Sequence, residues 1–220
     1  MRAGFAQVTD GFAGQPGVLP VLPALAGLLP GNGLARGAVV AVERPGLLCL
    51  ALAAGASRAG AWCGVAGLPE LGVVAAAGTG VNPGRLMLVP RPGRRWAEVT
   101  AELLEGCEVV VTRLPGPPPA PVRRRLEAVA RQRGGVLIAA GQLWEGALVR
   151  LRVTRRSWAG IGNGYGRVRA CRAEVTAEGR GAAARVRSCW LWLPGPDGAV
   201  TAAEPAGVTA GEHGGRAQAG

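Results

Sequence analysis

Lysine is absent from this chain, and all 25 basic side chains are arginine. Aspartate is nearly absent, with only Asp10 and Asp197, both in segments that read as tails. Histidine occurs once, at His213 near the end, which excludes histidine-dependent triads and histidine metal clusters. The five cysteines (Cys49, Cys63, Cys107, Cys171 and Cys189) form no C-x-x-C pair, so the spacing that zinc and redox motifs need is missing. Most of them sit in apolar runs, where a thiol behaves as a small hydrophobe, and they read as reduced core residues of a cytoplasmic protein. Aromatics make up 4%, so a core has to be built from Ala, Val and Leu. The one candidate targeting segment, Val18 to Leu29, is interrupted by Pro20 and Pro23 and preceded only by Arg2. It is too short to span a bilayer and too broken for a signal peptide.

What is present is enough for one substantial domain. The chain has 220 residues, of which 49% are hydrophobic, and its 37 glycines and 17 prolines gather at the ends and in loops. A net charge of +11 favours acidic partners, either nucleic acid or an acidic protein surface. The exclusive use of arginine also suits a GC-rich genome, although such a bias does not explain the excess of base over acid.

The expected organisation is a flexible lead over 1–17, a single domain over 18–194 and a disordered tail over 195–220. Val18 to Leu29 reads as a short packed segment, and Pro30-Gly31-Asn32-Gly33 as a turn. Ala38 to Val42 is the first confident strand. It runs through Glu43-Arg44-Pro45-Gly46 directly into a helix over Leu47 to Arg58. Further strands are expected at Ala61–Ala66, Arg85–Val89, Glu108–Val111 and Val136–Ala139. Helices are expected near Leu71–Ala77, Trp96–Leu104 and from Pro121 onward. Short apolar strands alternating with helices imply a parallel sheet covered on both faces.

After Gly141 the pattern changes to period two. Val149, Leu151 and Val153 alternate with Arg150, Arg152 and Thr154, and Val186 and Trp190-Leu191-Trp192-Leu193 continue in the same manner. Turns are expected at Gly160–Gly166 and Glu178–Gly181, so an antiparallel meander extends the parallel core. It carries the best candidate surface: Arg150, Arg152, Arg155, Arg156, Trp158, Arg167 and Arg169, opposed in that region only by Glu174 and Glu178. Arginine and tryptophan suit a protein-docking face, the favoured reading. Weak, salt-dependent nucleic-acid contact, with Trp158 and Tyr165 offering stacking, is the second. Glu98, Glu102, Glu105 and Glu108 read as a solvated helix face rather than an acid/base pair.

The order of elements resembles the RecA-like core from about Val21 to Leu193. The resemblance rests on Leu34-Ala35-Arg36-Gly37-Ala38-Val39-Val40, Gly80-Val81-Asn82-Pro83-Gly84-Arg85-Leu86, Glu108-Val109-Val110-Val111, Val136-Leu137-Ile138 with Gln142, and Val149-Arg150-Leu151-Arg152-Val153. It implies an α/β, three-layer fold with a mostly parallel sheet. The departures bear on function. The stretch after Val42 is shorter than a RecA phosphate loop and lacks its Lys and Thr. The glutamate that RecA-type enzymes use to activate water aligns with Leu68, with Glu70 displaced by two. The magnesium-binding aspartate aligns with Arg113. Gln142 matches the glutamine that reports the γ-phosphate, but reads here as a structural hydrogen-bonder. The long DNA-binding loop that follows it is almost absent.

A RecA-like body with these losses is similar to the mutasome accessory proteins of the actinobacterial ImuA-prime type. The passages that carry this are Arg155 to Arg167 and Leu191-Trp192-Leu193-Pro194-Gly195. The resemblance implies a non-catalytic adaptor in DNA-damage-induced, error-prone translesion synthesis. It would need no cofactor or metal. Its partners would be an ImuB-type Y-family polymerase homologue and an error-prone replicative-type DNA polymerase. Two alternatives stay open: a SulA-like inhibitor of a filament-forming partner, and a divergent RecA-like ATPase.

Overall fold

Runs such as Val109-Val110-Val111 and Val136-Leu137-Ile138 have apolar side chains at every position, so both faces of the strands they form must be covered. The computed structural model, which describes residues 17–159 and 170–205, places them at the centre of a nine-stranded sheet. β3 (Val39–Val42), β4 (Cys63–Ala66), β5 (Leu86–Val89), β6 (Val109–Arg113) and β7 (Val136–Ala140) are parallel, with β8 (Val149–Ala159) parallel to β3 on its other side. β9 (Ala170–Gly179), β10 (Arg187–Trp192) and β11 (Thr201–Ala202) continue outward as an antiparallel meander. The spatial order is β11-β10-β9-β8-β3-β7-β6-β4-β5. The sheet is therefore parallel on one side of β3 and becomes antiparallel beyond β8, as the change of sequence pattern predicts.

Three helices, α1 (Pro23–Ala26), α2 (Leu47–Arg58) and α3 (Val73–Thr79), lie on one face with a small ribbon of β1 (Val18–Pro20) and β2 (Gly33–Ala35). α2 is apolar all round because it is covered all round: its residues from Leu48 to Ala54, with Ala56 and Ser57, are buried. The sheet lies beneath it and the N-terminal segment lies over it. That segment inserts Leu19, Leu22, Leu25, Leu28 and Leu29 into the core, as the packed-segment reading expects. Its backbone passes so close that a Cβ on Gly55 would stand 2.3 Å from Val21 Cα.

The opposite face is covered by α4 (Trp96–Gly106) and α5 (Ala120–Arg133). α4 turns Thr100 and Leu103 inward and leaves Glu98 and Glu105 to pair with Arg95 and Arg133. Thr100 meets Thr112 of β6 through a buried hydroxyl pair at 3.0 Å. Trp144 is fully buried between β7 and β8, with Nε1 donating to Glu127 Oε1 at 2.8 Å. These two helices leave the meander uncovered on their side.

Several boundaries differ from expectation. α3 starts at Val73, and it turns Ala76 and Thr79 into the core while Val74 is 87% exposed, so the valines of this apolar run do not face the core. Val186 lies before β10 rather than within it and is exposed. The chain beyond Pro194 is not wholly a tail. Gly195-Pro196-Asp197-Gly198 forms a turn closed by Gly195 N–H to Ala199 O, and Asp197 Oδ1 accepts from Ala199 N–H. Val200 is then buried, and Thr201 and Ala202 pair with Trp192 and Leu191. Pro-Asp-Gly chemistry favours this turn, and the strand after it completes the sheet edge. Among the described residues no helix is long and apolar enough to cross a membrane.

Candidate functional site

In an open parallel sheet the crevice at the carboxyl ends of the strands, where connections diverge to opposite sides, is where ligands bind. β3 occupies that position here, since its neighbours β7 and β8 lie on either side and α2 leaves from its end. Only Glu43, Arg44, Pro45 and Gly46 separate β3 from α2. Glu43 N–H is tied to Leu151 O at 3.0 Å, which holds this junction against β8. Gly46 caps the helix with φ 153°, a conformation that a side chain would strain.

Beside this junction is a cavity of about 220 Å³. Leu48, Val153, Cys171, Leu193 and Pro194 contribute apolar wall, and Pro45 and Leu47 close it from the junction. Glu43, Arg44, Arg156 and Trp158 supply its polar and aromatic rim. Trp158 is 52% exposed. Burial pushes the Cys171 thiol up, and the positive charge of Arg156 only partly opposes this. A raised thiol carries less of the reactive thiolate, and Cys171 forms part of the cavity wall.

The positions that would carry nucleotide chemistry are occupied differently. Arg113, at the end of β6, donates from Nη1 to Glu70 Oε1 at 3.0 Å. Glu70, two residues from the position that aligns with the water-activating glutamate of RecA-type enzymes, is thus engaged by Arg113, which aligns with their magnesium-binding aspartate. Gln142 is exposed beyond β7, and among the described residues its side chain makes no hydrogen bond, so the structural hydrogen-bonding role expected of it is not seen. No group of His, Cys, Asp and Glu able to hold a metal occurs among the described residues.

The predicted arginine surface is divided between the two faces of the sheet. Arg150 stands opposite Glu178, Arg152 opposite Thr176 and Arg155 opposite Glu174, all on the face that α4 and α5 leave open. Arg155 Nε lies 3.6 Å from Glu174 Oε2. Arg150 is half-buried, and its Nε is buried without a hydrogen-bond partner among the described residues. A register irregularity between Val153 and Arg155 then reverses the alternation. Arg156 now pairs with Ala173 and Trp158 with Cys171, on the α2 face beside the cavity. Arg167 and Arg169, with Tyr165 and the Gly160–Gly166 turn, lie outside the described residues.

The open face has a second feature, absent from the predicted set. Trp190 and Trp192 of β10 share it with Arg172, whose guanidinium stacks 4.8 Å from the Trp192 ring centroid. Period-two alternation in Trp190-Leu191-Trp192 was the signal for it. The cavity itself has no comparable signal, because Cys171 and Leu193 reach it only through the meander.

A mostly parallel sheet flanked by helices on both faces, with a strand-to-helix junction at its switch point, defines a RecA-like α/β protein. The crystal structure of the RadB recombinase has the same architecture: TM-score 0.59 at 14% identity, covering 82% of this chain and 97% of that one. At that identity the likeness concerns the fold. The chain belongs to the MT3502 N-terminal domain family, which matches residues 27–146. It is also 31% identical over 141 residues to the uncharacterized protein Rv3395c of Mycobacterium tuberculosis, an alignment covering 60% of this chain and 69% of that protein.

Proposed function

We propose that this protein is a RecA-like scaffold that works by holding other proteins, and that it serves as a non-catalytic adaptor in DNA-damage-induced, error-prone DNA synthesis. The observation that carries this reading is the state of the nucleotide position. A phosphate cradle needs a run of backbone N–H groups, an ammonium and a hydroxyl. Four residues, with no lysine and no Ser or Thr, stand there instead. The cavity beside them, at about 220 Å³, is smaller than the roughly 300 Å³ at which small-molecule sites begin. Arg113 engages the Glu70 carboxylate.

What remains available is surface. Arginine and tryptophan, the residues most often found at interaction hot spots, are concentrated on the meander, within a chain of net charge +11. An acidic face on an ImuB-type Y-family polymerase homologue, itself joined to an error-prone replicative-type polymerase, is the partner this reading assigns. The similarity to the ImuA-prime type supports that assignment.

Two measurements test it. Calorimetric titration with ATP and magnesium is expected to give no binding, and tight binding would overturn the non-catalytic reading. Co-purification with an ImuB-type protein is expected, weakening as salt rises. Failure to associate at low salt would remove the adaptor role.

A further inference from the structure

The cavity beside Pro45 combines three properties. Its walls are apolar, with Val153, Leu193 and Pro194 exposed to the same space as the Cys171 thiol. Its volume of about 220 Å³ suits one large side chain better than a whole small molecule. Its rim carries Arg44 and Arg156 against the single carboxylate of Glu43, and neither arginine is in an ion pair among the described residues. Pairing between copies of this rim is disfavoured by its own charge.

We propose that the cavity is a receptor for an acidic peptide segment, taking one apolar side chain, phenylalanine or leucine, into the recess while the arginines of the rim receive flanking carboxylates. The proposal rests on the adaptor reading for the source of the peptide, a partner protein. It assigns to the erased nucleotide position a new kind of occupant. A central anchor in a desolvated pocket, surrounded by charge pairs at the rim, is the usual arrangement of an interaction hot spot. The half-exposed indole of Trp158 extends the apolar wall towards solvent, where it can cover the backbone of the bound segment.

The test uses two fluorescently labelled peptides of alternating glutamate and serine, identical except for a central phenylalanine or alanine. Anisotropy titrations are run on the full chain. The phenylalanine peptide is expected to bind about tenfold more tightly, the worth of burying one such anchor. The double variant Arg44→Glu/Arg156→Glu should abolish this binding. Arg124→Glu/Arg125→Glu, exposed on α5 on the opposite face, should leave the preference intact. Val153→Phe fills the recess without altering charge and should reduce the phenylalanine peptide to the affinity of its alanine twin. Equal or absent binding of the two peptides would overturn the proposal, as would equal loss in the α5 variant or displacement of the peptide by ATP and magnesium.

Co-purification with the ImuB-type protein separates the two readings. A partner complex that persists when the phenylalanine peptide fails to bind rejects the cavity and keeps the adaptor. A peptide preference without any partner complex rejects the adaptor and keeps the cavity.

Discussion

Gly55→Ala sets two physical effects against each other. In the interior of α2, replacing glycine by alanine should stabilise the helix by about 1 kcal/mol through backbone entropy alone. Against this, a Cβ at position 55 would lie 2.3 Å from both Cα and C of Val21 and 2.7 Å from its N. These are backbone atoms, so no side-chain rotation relieves the overlap, and the segment that crosses α2 has to move. Overpacking of this kind costs about 1–3 kcal/mol. The same segment carries Leu19, Leu22 and Leu25 into the core, and lifting it far enough to expose one leucine loses about 1.5–3 kcal/mol more. The net expectation is destabilisation of about 1.5–5 kcal/mol, read as a shift of the guanidinium midpoint at unchanged slope. Gly27→Ala is the control. That glycine has φ −64°, and a Cβ there meets nothing within 4 Å, so alanine should be neutral or stabilising by up to about 1 kcal/mol. A Gly55→Ala protein as stable as the wild type would refute the close approach of the N-terminal segment to α2.

Two further predictions concern the core. Thr100→Val leaves the Thr112 hydroxyl buried without its partner and should cost about 1–3 kcal/mol, while the double replacement Thr100→Val/Thr112→Val should recover much of it; additive losses in the double-mutant cycle would show that the pair is not coupled. Burial raises the thiols of Cys49 and Cys63 from 9.0 to about 12. The folded state therefore keeps these protons after the unfolded chain has released them. Their contribution is complete below pH 9 and is lost as pH rises towards 12, at about 1.4 kcal/mol per pH unit for each group. Denaturation at stepped alkaline pH measures this, and serine replacements that leave the slope unchanged would assign it elsewhere.

The parallel core was legible because a strand buried on both faces must be apolar at successive positions, and Val109-Val110-Val111 and Val136-Leu137-Ile138 are. The N-terminal leucines were legible as an apolar run, broken by Pro20 and Pro23, which reads as a short packed segment. Val74 was not, since an alanine- and valine-rich run reads as core whether or not anything covers it, and here 87% of it is exposed. The strand at Thr201–Ala202 was missed because two residues carry no periodicity. Their pairing depends on the turn at Gly195–Gly198 returning the chain to β10.

The candidate site divides along the same line. The amino-acid order alone determined that no lysine, serine or threonine stands between Val42 and the start of α2. It also determined that arginines alternate with apolar residues through β8, since side-chain direction in a strand has period two. Only the tertiary structure decided which arginines act together. The irregularity after Val153 reverses the alternation and sends Arg156 and Trp158 to the α2 face, apart from Arg150, Arg152 and Arg155. Cross-strand pairing then brings Cys171 and Leu193 to the end of β3. A bulge depends on how two strands fit together, and a cavity on which distant segments meet, so neither is a property of local sequence.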